Sequence, residues 1–489
     1  MNQSSQLPVS TMNNRLIASL LLFVLALVVP LERSSPTIRA QTARVIAVRN
    51  VTVIPVTGAP PILNSTVVIK GERIVSIGPT AKIPSGARVI NGTGKFLLPG
   101  FIEMHAHLSK TRASSLGLFV ANGITTLRDM GGDHEELLRW RREVRAGSRL
   151  GPRILMAGPY LESARNIERM RKDPPSERVE PFERTRIGVG SPEEARRIVA
   201  ELAKREIDFL KIRTVQDRET YLALNKAADE HGLKLVGHVT GIPPEVVLTS
   251  GQDGVEHAFY PSLQSKNKDE RLAVWRKFAE RGIVVVPTLV SIFEATFPPT
   301  DRLRAIVEDE KGQIDPRRPY ISKYLVLDWR EQVLEATDQR RQTFRKIWDE
   351  TARRDFREMH EAGVDLLVGS DAAVLNVFPG YSLHDEMALF VSELGMTPSE
   401  VIERATRRSA KFLGLLDQTG TVEEGKIADL VLLDANPLDD IRNTKRISAV
   451  ILRGTLYDQS GIKRILADVR SAPDIRTDDW GRTSTVRTP

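Results

Sequence analysis

The sequence predicts an α/β protein: a (β/α)8 barrel of the TIM type, joined to a small β-sandwich-like domain formed by both chain ends. Three observations carry this expectation. Between residues 97 and 417, eight short apolar runs alternate with longer amphipathic stretches. The runs are apolar throughout rather than at every second position, so both faces must be covered, as in parallel sheet. The runs outside this region are β-branched and punctuated by Gly, Pro and Asn, the pattern of short strands in a small sheet.

Taken in order, the eight candidate strands are FLLPGFIEM, GITTLRDM, PRILMAGPY, DFLKIRT, LKLVGHV, DGVEHAF, IVVVPTL and VDLLVGSD. Eight parallel strands with helical connections close into a barrel whose chemistry sits at the carboxyl ends of the strands. The connection over 191–204 opens Ser-Pro-Glu-Glu, a cap and favourable first turn, and sets Ala195, Ile198, Val199 and Leu202 on one helical face. The flanking pieces, 42–96 and 418–465, are each too short to bury a core and are expected to pack together, with the barrel inserted between them. Two connections exceed what a barrel needs, 158–188 and 291–346; both leave strand carboxyl ends and frame the expected site. The second has helical periodicity and reads either as a helical lid or as a solvated extra helix pair. From 466 to 489 the chain is polar and is expected to be a disordered tail.

Residues 1–41 stand apart. Arg15 precedes an uncharged run, LIASLLLFVLALVV over 16–29, followed by Pro30. The run is shorter than the roughly 18–20 apolar residues of a spanning helix, which favours a cleaved secretory signal near Ala40. Ile38 is not the small residue such a cut wants, so an uncleaved membrane anchor is the alternative. Secreted or periplasmic placement follows. The chain has no cysteine, which excludes disulfides and thiolate zinc sites. The net charge of +7 is spread, with an arginine excess over 139–186 but no sustained basic tract, so nucleic acid is not an expected partner. A small molecule or dipeptide-like compound is, and a homo-oligomer is compatible with the sequence.

Five scraps end apolar runs with metal-binding side chains. His105-Ala106-His107 ends the first strand, where alternation points both imidazoles into one space, as one metal needs. Lys211 ends the fourth; an ordinary lysine there would snorkel to solvent, but held neutral by burial its amine can take up carbon dioxide as a bridging carbamate. His238 and His257 end the fifth and sixth strands and complete a second ligand set. Asp371 ends the eighth; besides capping the next segment, a carboxylate there can hold one metal and shuttle a proton. Of the other histidines, only His134 and His384 are placed to approach a substrate. Tyr160 and Tyr260, just beyond strands three and six, could donate to an oxyanion; Arg213, and less so Arg165, could meet a substrate carboxylate.

LLPGFIEMHAHL, GITTLRDMGG and RATRRSAKFLGLLDQTGTVEEGKIADLVLLDANPLDDI together resemble the amidohydrolase superfamily of binuclear metal hydrolases. The likeness is to its imidazolonepropionase-like and prolidase-like dipeptidase branch. The resemblance implies two divalent ions, zinc in the first instance, with His105, His107 and Asp371 on the more buried metal, His238 and His257 on the other, and a carbamylated Lys211 between. It implies hydrolysis of an amide or peptide-like C–N bond by a metal-bridging hydroxide, with Asp371 as proton shuttle. The same centre could cleave a cyclic amide, lactone or phosphoester. A non-catalytic barrel scaffold would have lost ligands, and none is missing; a deaminase would need neither a second metal nor a bridging lysine.

Overall fold

Adjacent leucines in one strand serve two cores, which shows how the parts of the molecule are joined. The computed structural model describes residues 45–173, 182–257 and 263–472. Strand Phe96–Pro99 runs antiparallel to Leu430–Leu433 and parallel to Val45–Val53, so segments from both ends of the chain share one eight-stranded sheet. On that strand Leu97 packs with Val48, Val67, Leu430 and Ile451, while Leu98 faces the other way into the large core with Phe101, Ile124 and Leu127. The sheet has its own apolar core yet lies in one compact unit with the rest of the described chain. The boundary expected at residue 97 therefore moves, because Phe96–Pro99 belongs to this sheet and the first strand of the parallel set begins at Phe101.

The apolar runs form parallel strands as their composition requires. Phe101–Ala106, Ile124–Asp129 and Arg153–Met156 make a three-stranded sheet. Phe209–Ile212, Lys234–Gly237, Gly254–Glu256 and Val284–Val286 continue in sequence order in a second sheet. The amide of Asp208 donates to Met156 at 3.0 Å, linking one sheet to the other. The eighth run is less regular than expected. Leu367 donates to Val285 at 2.8 Å and Met104 to Val368 at 3.1 Å, but only isolated parallel bridges form, at Leu366 and Ala372.

Helix Pro192–Leu202 follows its sequence signals: the Ser191 hydroxyl accepts from the Glu194 amide, and Ala195, Ile198, Val199 and Leu202 are buried. The first long connection adds two strands that the sequence reading lacked, Tyr160–Ser163 and Arg186–Val189, paired in parallel. The second contains helices Leu289–Thr296, Thr300–Val307, Lys323–Glu335 and Asp338–Ile347. These are not a solvated pair: Leu303, Ile306, Leu325, Trp329 and Val333 enclose a core with Ala373, Leu375 and Phe378.

Residues 466–471 depart from their expected disorder. Helix Gln459–Ser471 is capped by Asp458, and Ile462, Ile465, Leu466 and Val469 recur at helical spacing against Val120 and Leu452. The apolar stripe is sparse, which is why composition hid it. Residues 473–489, the apolar run at 16–29 and Tyr260 lie outside the described residues. Among the described residues no helix is long and apolar enough to cross a membrane.

Because Leu97 and Leu98 fill separate cores of one unit, truncating either to Ala should lower the free energy of unfolding by about 2–5 kcal/mol. Denaturant titration should give a single shifted transition for each variant. Two separated transitions would show that the sheet and the parallel strands unfold independently.

Candidate metal centre

His105, His107 and His257 converge on Asp371, with Lys211 and His238 beside them. Its Oδ1 lies 3.1 Å from His107 Nε2 and 3.5 Å from His105 Nε2, and its Oδ2 lies 3.7 Å from His257 Nε2. The His105 and His257 ring centroids are 4.9 Å apart, and those of His238 and His257 are 5.1 Å apart. Ligand atoms of His105, His257 and Asp371 all lie within 4.8 Å of one another. Lys211 is 1% exposed and acts electrostatically on His105, His257 and Asp371.

The backbone explains the convergence. Alternation along Phe101–Ala106 carries His105 and, just past it, His107 to one side. The Asp371 amide donates to the His105 carbonyl at 2.8 Å and the His107 amide to the Ala372 carbonyl at 3.1 Å, so the eighth run is fixed to the His-x-His strand at the ligands themselves. His257, Thr288 and Asp371 have φ of 56°, 51° and 60°, left-handed conformations unusual for these residue types. Such geometry costs of order 1–3 kcal/mol per residue and persists only where the surroundings impose it.

Burial sets the protonation. Desolvation lowers the His105 pKa to about 3 and lowers those of His238 and His257 as well, leaving neutral imidazoles with lone pairs to offer. Burial works against the Asp371 carboxylate, but His105, His107 and His257 outweigh it and hold the pKa well below the ordinary range. Burial also pulls the Lys211 amine down to about 8. His105 Nε2 and Lys211 Nζ are buried with no hydrogen-bond partner in the protein. Orphaned buried groups of this kind are costly unless something else meets them. The His105, His238 and His257 imidazoles, held neutral by burial, with His107, a carboxylate and a buried amine that has no hydrogen-bond partner in the protein, fit a divalent-cation centre.

A buried frame holds these ligands, and sequence reading missed it. His105 Nδ1 is 2.7 Å from Glu256, whose other oxygen accepts from Arg128 at 2.7 Å; Arg128 in turn donates to the Met104 carbonyl at 2.6 Å. Burial would raise the Glu256 pKa, but Arg128 and His105 drive it below the usual carboxylate range. Glu103 accepts from the amides of His105 and Ser370 and from the Ser370 hydroxyl, tying the first strand to the eighth. His257 Nδ1 is 2.6 Å from the Thr288 hydroxyl. A signal for these residues was present: Glu103, Arg128 and Glu256 are charges inside otherwise apolar runs, and buried charges must be paired.

The expected substrate-contacting residues divide. Tyr160 is 2% exposed and its hydroxyl is 2.9 Å from His107 Nδ1, so it fixes the His107 ring. Arg213 is beside the site, with Nε 3.8 Å from Glu162 and its guanidinium 5.5 Å from the centre of the Tyr160 ring. Arg165 is exposed and its amide bonds to Gln216. His384 does not approach a substrate: it is buried between the Thr444 hydroxyl at 3.0 Å and the Asn122 carbonyl at 3.1 Å. His134 opens helix His134–Ala146 and sits next to Gly158.

Glu256→Gln would keep an oxygen for one partner but remove the charge that both His105 and Arg128 answer. Metal affinity should fall about 10- to 100-fold, read by metal content after dialysis against a graded chelator series. Retention equal to that of the native protein would mean that His105 needs no anionic partner.

The amidohydrolase family model matches residues 96–457. Imidazolonepropionase from Thermoplasma volcanium is 37% identical over 87 residues, 18% of this chain and 21% of that protein. Ochratoxinase from Aspergillus niger is 35% identical over 106 residues, 21% of each chain. The chain thus spans about a fifth of the length of the curated relatives it matches. Among solved structures, a protein from Bifidobacterium longum assigned as a prolidase superposes with a TM-score of 0.65 at 26% identity, covering 88% of this chain and 99% of that one. Phenylurea hydrolase B shares the fold, with a TM-score of 0.64 at 22% identity over 86% of this chain and 98% of that one. With its match running from the strand before the His-x-His pair to the end-derived sheet, the chain belongs to the amidohydrolase family.

Proposed function

We propose that the protein is a metal-dependent hydrolase of carbon–nitrogen bonds, acting on an amide or peptide-like bond in a small substrate, a dipeptide among the candidates. The observation that carries the reading is the convergence of His105, His107 and His257 on Asp371, with His238 against His257 and a buried Lys211 amine that has no hydrogen-bond partner in the protein. On this reading the three strands of the first parallel sheet, the four from Phe209–Ile212 to Val284–Val286 in the second and the 364–371 run act as the eight-stranded barrel, and their carboxyl ends supply every ligand.

His105, His107 and Asp371 would hold one divalent ion, zinc in the first instance, His238 and His257 a second, and a carbamylated Lys211 would be shared. Bound there, divalent cations supply a water of lowered pKa and polarise a carbonyl. The Asp371 carboxylate, kept ionised by its imidazole neighbours, accepts the proton of the attacking water and returns it to the departing amine. Glu256 holds His105, Tyr160 His107 and Thr288 His257 in fixed orientation. Arg213, half-exposed beside Tyr160, would face an anionic part of the substrate, and Tyr260, three residues after His257 in the sequence, is proposed as a donor to the developing oxyanion. The match to the imidazolonepropionases favours a second reading, in which the bond opened lies within a cyclic amide.

Carbamate formation requires the neutral amine of Lys211, so metal loading in bicarbonate should be favoured as pH rises through about 8 and suppressed below it. Loading with 13C-bicarbonate should give a carbamate carbon resonance that disappears in Lys211→Ala.

The reading itself is tested by screening metal-loaded protein against dipeptides, N-acyl amino acids and cyclic amides, with Asp371→Asn and Lys211→Ala beside the native chain. Each variant should lose at least about 100-fold in kcat. Full activity in either would remove that residue from the mechanism, and turnover of a lactone alone would reassign the bond.

A further inference from the structure

The chain immediately after Asp371 adopts an improbable backbone. Asp371, Ala373 and Asn376 have φ of 60°, 142° and 63°, values that residues other than glycine rarely adopt. The segment is buried, with Ala373 at 2%, Leu375 at 1% and Asn376 at 3% exposure. Its polar backbone atoms are answered by the helical insertion between the seventh strand and the eighth run. Trp329 Nε1 donates to the Ala373 carbonyl at 3.1 Å. Gln332 Nε2 donates to that carbonyl at 3.2 Å, and Gln332 Oε1 accepts the Leu375 amide at 2.7 Å. The Asn376 side chain bonds Glu294, and the Arg317 guanidinium lies 4.1 Å from the centre of the Phe378 ring.

On its other side the same segment is hooked to the first strand through the Asp371 and Ala372 backbone. Asp371 is therefore held between two supports. The strand bearing His105 and His107 fixes its amide, and helix Lys323–Glu335 fixes the two residues that follow its turn.

We infer that Gln332, with Trp329, is a positioning residue for Asp371, and that the insertion serves as a brace on the proton-transferring carboxylate rather than as a lid. The inference rests on the role proposed for Asp371. It assigns a task to the Gln332 amide that neither packing nor solvation requires: its oxygen and nitrogen match the acceptor and donor needs of one left-handed turn, two residues from the carboxylate.

The test uses the full chain loaded with cobalt(II), whose visible absorption reports the ligands around the ion, and the dipeptide or N-acyl amino acid turned over fastest by the native holoenzyme. Gln332→Met keeps the length of the side chain and removes its hydrogen bonds to Ala373 and Leu375, together with the one from Nε2 to Asp328 at 2.8 Å. Trp329→Phe keeps the ring beside Phe378 and removes only the N–H. In Gln332→Met, kcat should fall about ten- to a hundredfold with KM within about twofold. Cobalt stoichiometry should be native and the absorption band altered; Trp329→Phe should show a smaller effect of the same kind. Native kcat and an unaltered band in both variants would overturn the inference, as would a loss of activity that merely tracks loss of bound cobalt or of folded protein. The cobalt band decides without any substrate. Asp371→Asn separates the two levels: if it is fully active, the role proposed for Asp371 falls, whereas if it is inactive while Gln332→Met is native, only the brace falls.

Discussion

The position of the Asp371 carboxylate depends on two backbone hydrogen bonds to the strand that carries the His-x-His pair. Through them the last ligand in the sequence is registered against the first, across more than half the chain. Without that register, His105, His107 and His257 would have no common anion between them. Burial in a dry interior lowers the pKa values of His105 and His257 against the pull of Asp371, while the juxtaposition itself holds the pKa of Asp371 down. The surrounding frame serves the same constraint: Glu103 bonds to both strands at the point where they meet, and Glu256 and Arg128 keep His105 from turning.

The polar frame is an expensive arrangement for folding. Glu103, Arg128, Lys211 and Glu256 are all 2% exposed or less, among strands whose other residues are apolar. Ion pairs so buried seldom stabilise a fold beyond what apolar replacements would. Their retention is understandable if the strands serve a centre that needs oriented imidazoles. The Leu97 and Leu98 cores and the helices that cover the parallel sheets then supply the stability that the centre does not.

What the sequence disclosed and what it concealed follow from the same physics. Continuous apolar runs revealed the parallel strands, and the His, Lys and Asp side chains ending five of them were visible because they interrupted an apolar pattern. Helix Pro192–Leu202 was legible from its cap and stripe, both local signals. Tyr160–Ser163 and Arg186–Val189 were not, since each has only four residues and their pairing spans a long connection. The contact of Tyr160 with His107 was hidden because it depends on how two strand ends approach in space. Helix Gln459–Ser471 escaped because its apolar stripe is diluted by charge. The grip of Gln332 on Ala373 and Leu375 left no local trace at all; only the fold brings an insertion helix to the turn after Asp371.

Charge balance ties the proposed carbamate to the rest of the centre. With Lys211 as an ammonium, the buried groups nearest the imidazoles include two cations, Lys211 and Arg128, against the carboxylates of Asp371 and Glu256. Glu103 is only partly ionised near neutral pH, because burial raises its pKa to about 7. Such a set is close to neutral and has no surplus with which to hold two dications. Converting the amine to a carbamate changes its charge from plus one to minus one, and it does so at the atom that has no hydrogen-bond partner in the protein. The swing of two units falls where the imidazoles already offer lone pairs, while Arg128 remains occupied by Glu256. Burial of Lys211 thus does two things at once: it disfavours the ammonium that would repel metal ions, and it leaves a neutral nucleophile able to become their anionic ligand.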